Sequence, residues 1–147
     1  MDLNGKKIAF LLAPEGIEQV ELTQPWQAVE KAGGTPRLVW TGKGTVQADN
    51  HLDKGDTFDV DQTLDSANIA SCDGLVLPGG VANPDFLRTQ PTAVAFTRSL
   101  FDVGKPVAAN CRASWTLIEA GVVEGRRLTS WPSLHTDLRK RRGHLGR

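Results

Sequence analysis

Cysteine is scarce in this chain: Cys72 and Cys111 are the only two among 147 residues, and they stand far apart. That excludes a disulfide framework and fits reduced thiols in a cytoplasmic protein. Histidine is scarce too. Three scattered histidines and two distant cysteines form no ligand cluster, so no metal is expected. Net charge is absent, with 17 basic against 17 acidic residues, and nothing steers the chain towards nucleic acid or a membrane surface. No apolar run approaches the roughly 18 residues of a membrane span. Lys6 and Lys7 precede the apolar run Ile8 to Ala13, but Pro14-Glu15 ends it too early for a signal peptide, so a buried first strand is expected. No GxGxxG follows that strand, and Thr41-Gly42-Lys43-Gly44-Thr45 lacks the spacing of a phosphate loop, so no cofactor is expected.

What remains is an ordinary globular composition, 39% hydrophobic and 23% charged, of one-domain length. Lys6 to Leu12 predicts a strand, Pro14 to Gln19 a polar loop, and Val20 to Ala32 a helix. Pro25 belongs in a first turn, which would start the regular helix near Leu22. Gly33-Gly34 ends it, and Pro36 to Trp40 is a second strand, giving a right-handed βαβ unit. Gly42 to Asp65 is a polar connector with short strands near Val46-Gln47-Ala48 and Asp59-Val60. Ser71 to Leu77 predicts a buried strand ending in Pro78-Gly79-Gly80. Pro91 to Val103 predicts a helix with Pro91 in its first turn and Gly104 after its end. Pro106 to Ala109 predicts a further buried strand, and Trp115 to Ala120 a helix. Strands alternating with helices imply an α/β sandwich around a mainly parallel sheet. Ligands bind beyond the carboxyl ends of such strands, where the Gly16 loop, the Gly79-Gly80 loop and Cys111 all fall.

Cys111 sits at a strand-to-helix junction. A thiol there is either small core filler or a nucleophile whose thiolate is held by the helix N-terminus. Gly79-Gly80 is either a plain turn or a place where backbone N–H groups approach an oxyanion. Glu21, in the first turn of a helix, is either a solvated cap residue or a site carboxylate. Cys72, within a strand, reads as core.

Taken together, Ala13-Pro14-Glu15-Gly16-Ile17-Glu18-Gln19-Val20-Glu21, Leu75-Val76-Leu77-Pro78-Gly79-Gly80 and Val107-Ala108-Ala109-Asn110-Cys111 resemble the ThiJ/PfpI family of the class I glutamine amidotransferase-like superfamily. The segment Leu128 to Leu134 also resembles that family, and the likeness runs from Lys6 to about Asp137. The resemblance implies a flavodoxin-like three-layer sandwich and a nucleophile at Cys111, with the Glu21 carboxylate beside it. It implies an oxyanion site built from the N–H groups of Gly80 and Arg112. It implies that Asp85 reaches across from a neighbouring subunit, which makes the partner a second copy of the chain, as a dimer or larger. Activities in the family include peptidase, deglycase and glyoxalase-like action on small carbonyl or peptide substrates, and stress or chaperone roles.

The sequence departs from the family in two places. Arg112 stands where the family has histidine after the nucleophile, and a guanidinium cannot shuttle a proton to a leaving amine. A nucleophile without its acid–base partner is therefore expected, with non-catalytic redox-sensing or chaperone-like stress protein, or inactive truncated copy, as the alternatives. His51 and His135 are other bases by residue type, but nothing in the sequence aims either at Cys111. The second departure is the end of the chain, Leu138 to Arg147, where five basic residues replace the family's last strand and helix. This divides the chain into one C-terminally incomplete domain, 1–138, and a basic disordered tail, 139–147; a natural truncation and a shift of reading frame are both open, and sequencing of the coding region would separate them. A marginal fold, or one supported by self-association, is the expected consequence.

Overall fold

The apolar run that opens the chain becomes the middle strand of a parallel sheet. The structure, a computed structural model, describes residues 2–146. In chain order it contains β1 (Lys7–Leu11), β2 (Glu15–Glu18), α1 (Gln19–Lys31), β3 (Thr35–Trp40), β4 (Thr45–Asn50), β5 (Asp53–Asp59), β6 (Gln62–Thr63), β7 (Gly74–Leu77), α2 (Ala82–Leu87), α3 (Pro91–Asp102), β8 (Val107–Ala109), α4 (Ser114–Glu119), β9 (Arg127–Leu128), α5 (His135–Lys140) and β10 (His144–Leu145).

The main sheet has the order β6-β3-β1-β7-β8, and all its pairs are parallel. Phe10 of β1 lies in register with Leu38 on one side and Val76 on the other. A strand with neighbours on both edges and cover on both faces must be apolar throughout. Phe10, Leu11 and Leu12 are accordingly fully buried, and each such side chain contributes about 1.5–3 kcal/mol. The chain leaves β1 for β3 on one side and later returns to β7 on the other. That reversal opens a crevice at the carboxyl ends of β1 and β7, where a flavodoxin-like sheet places its ligand.

The segment read from sequence as a polar loop contains a strand, β2, and the short strand expected near Val46-Gln47-Ala48 is part of a longer one, β4, paired with β5. β2, β4 and β5 form a second sheet, with β2 and β4 parallel and β4 and β5 antiparallel. The signal was the period of two in β4, where Val46 and Ala48 are fully buried and Gln47 and Asp49 are half-exposed. The first helix starts at Gln19 rather than near Leu22, with Pro25 inside it. Proline costs α1 one hydrogen bond to the Glu21 carbonyl, but burial of Leu22 and Val29 holds the flanking turns. The expected strand from Ser71 begins only at Gly74. Ile69–Ser71 is a 3-10 turn, capped by the Asn68 side chain accepting from the Ala70 N–H at 2.8 Å. β8 is an edge strand rather than a buried one: it pairs only with β7, and Ala108 is exposed.

The basic end of the chain also differs from the expected disordered tail. α5 runs through Lys140, and β10 pairs with β9, His144 against Arg127 and Leu145 against Leu128. Leu134 and Leu138 are fully buried. Apolar residues spaced through the basic run anchor it, while Arg139, Lys140, Arg141 and Arg142 face solvent. Arg147 lies outside the described residues. Among the described residues, no helix is long and apolar enough to cross a membrane.

Candidate active site around Cys111

Cys111 lies two residues past the end of β8, after Asn110, and occupies the left-handed region at φ 53°. Non-glycine residues rarely adopt that conformation, and where they do the surrounding structure holds them there. Here the Asn110 N–H donates to the Leu77 carbonyl at 3.1 Å and the Trp131 N–H donates to the Cys111 carbonyl at 3.0 Å. The half-buried thiol thus projects from a sharp turn, before a helix of only one and a half turns.

Glu21 of α1 and the Gly79-Gly80 turn after β7 meet this thiol. A Cβ on Gly79 would collide with the Glu21 carboxylate and would lie 2.6 Å from the Cys111 Cβ. Only glycine lets the three segments close this tightly. Gly80 (φ 87°) packs just as closely on the backbone of Gly16 and Glu18. The carboxyl ends of β1 and β7 are locked by a residue that the sequence had not singled out. The fully buried Asn83 of α2 accepts from the Ala13 N–H at 2.7 Å and donates to the carbonyls of Pro78 and Gly79 at 2.9 and 3.0 Å. An asparagine beside a proline in a loop reads as a turn, so its role is invisible before folding.

Burial raises the pKa of Glu21, and the neighbouring Glu18 charge adds to the rise. The N–H groups of Gly79 and Gly80 and the Cys111 thiol approach the carboxyl and pull the other way. Oε2 makes no hydrogen bond of full geometry, so burial wins. Burial also pushes the Cys111 thiol up, and the Glu21 charge pushes it further. The Arg112 backbone N–H and guanidinium pull it down without prevailing. The sequence had suggested a thiol lowered by a helix N-terminus. The structure instead places it beside a carboxylate in a partly desolvated turn, where burial and that charge both disfavour the thiolate.

Arg112 reaches back over the sulfur, its guanidinium 3.9 Å from Sγ. It is stacked on Trp131, 4.7 Å from the ring centroid. Arg112 and Trp131 line a cavity of about 570 Å³ with Glu18, Glu21, His51 and Cys111. The exposed apolar side chains of Val20, Leu52, Val81 and Trp131 form its lips. The arrangement offers a nucleophile, an adjacent proton acceptor, backbone N–H groups and one fixed positive charge. Asp85 lies exposed on α2 and is not part of the cavity wall, nor is His135 at the start of α5. Cys72 is buried well away from it, its thiol pKa raised by burial. Among the described residues, no group of three or more His, Cys, Asp or Glu side chains is placed to hold a metal.

This site can be set against known proteins. The model of the DJ-1/PfpI family matches residues 6–145. The chain belongs to the DJ-1/PfpI family. Within it, a deglycase from Pyrococcus horikoshii is 38% identical over 132 residues, covering 90% of this chain and 76% of that protein. Protein/nucleic acid deglycase 2 of Escherichia coli is 37% identical over 136 residues, 91% of this chain and 76% of the relative. Among solved structures, a two-domain protein from Anabaena variabilis with DJ-1/ThiJ/PfpI-like and ferritin-like domains is 25% identical, with a TM-score of 0.88. That alignment covers 96% of this chain and 39% of the other. The α/β architecture with a mainly parallel central sheet is the one these DJ-1/PfpI structures share.

Proposed function

We propose that this DJ-1/PfpI protein is a thiol-dependent hydrolase of the deglycase type, releasing amines from small carbonyl adducts. The observation that carries the proposal is the left-handed Cys111 turn closed against the Glu21 carboxyl and Gly79. The names of the deglycase relatives support the substrate class.

The thiol adds to the carbonyl carbon: an S–C bond forms, the C=O π pair moves to oxygen, and the thiol proton passes to Glu21. A carboxylate whose proton affinity is raised by burial suits that task. The oxyanion is stabilised by the N–H groups of Gly80 and Arg112, worth about 3–4 kcal/mol for one well-placed donor. Arg112 adds a positive charge beside the sulfur but no proton for a leaving group. Asp85, exposed on α2, acts only where a second copy of the chain brings it to another thiol, so the working form is a dimer or larger. A thiol that must stay reduced supports a cytoplasmic location.

The test is release of free amine from N-acetyl-lysine treated with methylglyoxal. Wild type and Cys72→Ala should release it, and Cys111→Ala should not. Release that survives Cys111→Ala, or that wild type does not show, would remove the proposal.

A further inference from the structure

We propose that Arg112 is an anion anchor, and that the substrate of the Cys111 site carries a carboxylate on the carbon next to the attacked carbonyl, as a 2-oxo acid does. The inference rests on the hydrolase proposed above and names its substrate class.

The argument starts from three arginines that lie over aromatic rings. Arg88 lies over Trp115, 5.5 Å from the ring centroid, and donates to Glu119 Oε1 from Nε at 3.1 Å and from Nη2 at 2.6 Å. Arg126 lies over Phe101 at 4.8 Å and is exposed, so solvent serves its N–H groups. Arg112 lies over Trp131 at 4.7 Å and is half-buried. Among the described residues it forms no ion pair with a carboxylate. Its side chain makes one long hydrogen bond, from Nη1 to the Cys111 Sγ at 3.9 Å. A guanidinium has five N–H donors in a planar fork that matches a carboxylate. Arg112 therefore repeats the stacked arrangement of Arg88 without a carboxylate of the protein to complete it, and it does so on the wall of the cavity that holds the nucleophile.

The distance to sulfur limits where the anion can sit. A charge-assisted N–H···O bond spans about 2.8 Å, and Nη1 is already in contact with Sγ. A carboxylate one bond beyond the carbon that sulfur attacks falls within that reach, whereas one at the far end of a long substrate does not. The addition is the step given above: the S–C bond forms, the C=O π pair moves to oxygen, and the thiol proton passes to Glu21. The substrate carboxylate keeps its charge and its bonds throughout. The other charged or titratable groups on the wall are Glu18, Glu21, Asp49 and His51. Glu18 accepts the His51 backbone N–H of the β4–β5 turn at 3.1 Å, and the His51 ring is exposed to solvent. Asp49 is half-exposed on β4, where solvent screens it. Glu21 becomes neutral as it takes the thiol proton, so it does not repel the anion in the adduct. Arg112 is left as the fixed positive charge beside the sulfur.

The experiment alkylates Cys111, in a Cys72→Ala background, with iodoacetate and with iodoacetamide. The two reagents are nearly equal in size, and iodoacetate carries its carboxylate on the carbon next to the attacked one. In both, the thiolate displaces iodide, so the thiolate fraction cancels from the ratio of the two rates. An effect of Arg112 on the thiol's proton affinity alone leaves that ratio unmoved. The iodoacetate-to-iodoacetamide ratio should exceed that of N-acetylcysteine by about 10-fold or more, the weight of a hydrogen bond to a charged group. It should fall by as much in Arg112→Ala and by less in Arg112→Lys, which keeps the charge but not the fork. Pyruvate should slow alkylation by iodoacetamide in the background protein and not in Arg112→Ala. A ratio equal to that of N-acetylcysteine, which needs no variant to measure, would overturn the anchor and leave the hydrolase in place. So would a ratio unchanged in Arg112→Ala, or no protection by pyruvate. A raised ratio without amine release from N-acetyl-lysine treated with methylglyoxal would overturn the hydrolase and leave the anchor.

Discussion

Replacing Gly80 with alanine tests the close packing that assembles the site. Gly80 has φ 87°, and a methyl group there would strike the Gly16 carbonyl oxygen and lie 2.9 Å from the Glu18 nitrogen. Both neighbours are backbone, so no flexible side chain can yield. Left-handed conformation alone costs alanine about 1–2 kcal/mol, and overpacking adds about 1–3 kcal/mol. Gly104 is the internal control: its φ is 71°, but nothing lies within 4 Å of the added methyl. Gly104→Ala should therefore lose only the conformational part, and Gly80→Ala about 1–3 kcal/mol more. In urea, with m near 1–3 kcal/mol/M, that difference separates the two midpoints by about 1 M. Tryptophan fluorescence reads both transitions. Coincident midpoints would refute the packing argument and leave the Gly80 turn as an ordinary loop.

Four further outcomes are expected. Leu138→Ala should cost about 2–5 kcal/mol, because the side chain is fully buried; thermal unfolding like that of wild type would mean that α5 is not packed. Arg112→Ala should raise the pH at which iodoacetamide alkylates Cys111 in a Cys72→Ala background, since the guanidinium charge pulls the thiol down; an unchanged profile would contradict that electrostatic role. Arg112→His should increase amine release several-fold by adding a proton donor, and a fall would count against the arginine being the weak point. Glu21 is raised above its unfolded value of about 4.5. Its unfavourable contribution is therefore absent below that value and grows as pH rises through the folded value. The stability gained by Glu21→Gln over wild type should grow over that interval in urea titrations, and a gain independent of pH would contradict the sign.

The main sheet was legible because parallel strands are continuous apolar runs punctuated by glycine and proline, as in Leu75-Val76-Leu77-Pro78-Gly79-Gly80. The Gly16 loop, the Gly79-Gly80 loop and Cys111 were legible as a set because they follow strands whose carboxyl ends share one rim; Glu21, on α1, joined them only through the family resemblance. Of the second sheet, only the short strand near Val46-Gln47-Ala48 was legible. Glu15-Gly16-Ile17-Glu18 is half charged, and its strand character comes from pairing with β4, which no local pattern announces. The ordering of the basic C-terminus depends on Leu138 and Leu145 reaching the body of the protein, a tertiary effect hidden by the charges around them. His51 was visible only as a polar-loop histidine; its place at the cavity follows from the hairpin geometry and from Glu18, neither readable from its neighbours in sequence. The thiol's proton affinity was misjudged for the same reason, since the desolvation and the Glu21 charge arise only once α1 packs against the turn.

The most direct test of Cys111 as the nucleophile is the intact mass of the protein, acid-quenched during turnover of N-acetyl-lysine treated with methylglyoxal. The account predicts a covalent adduct in wild type and in Cys72→Ala, carried by the peptide containing Cys111 and absent from Cys111→Ala. Turnover with no adduct on that peptide, or an adduct that persists in Cys111→Ala, would contradict it.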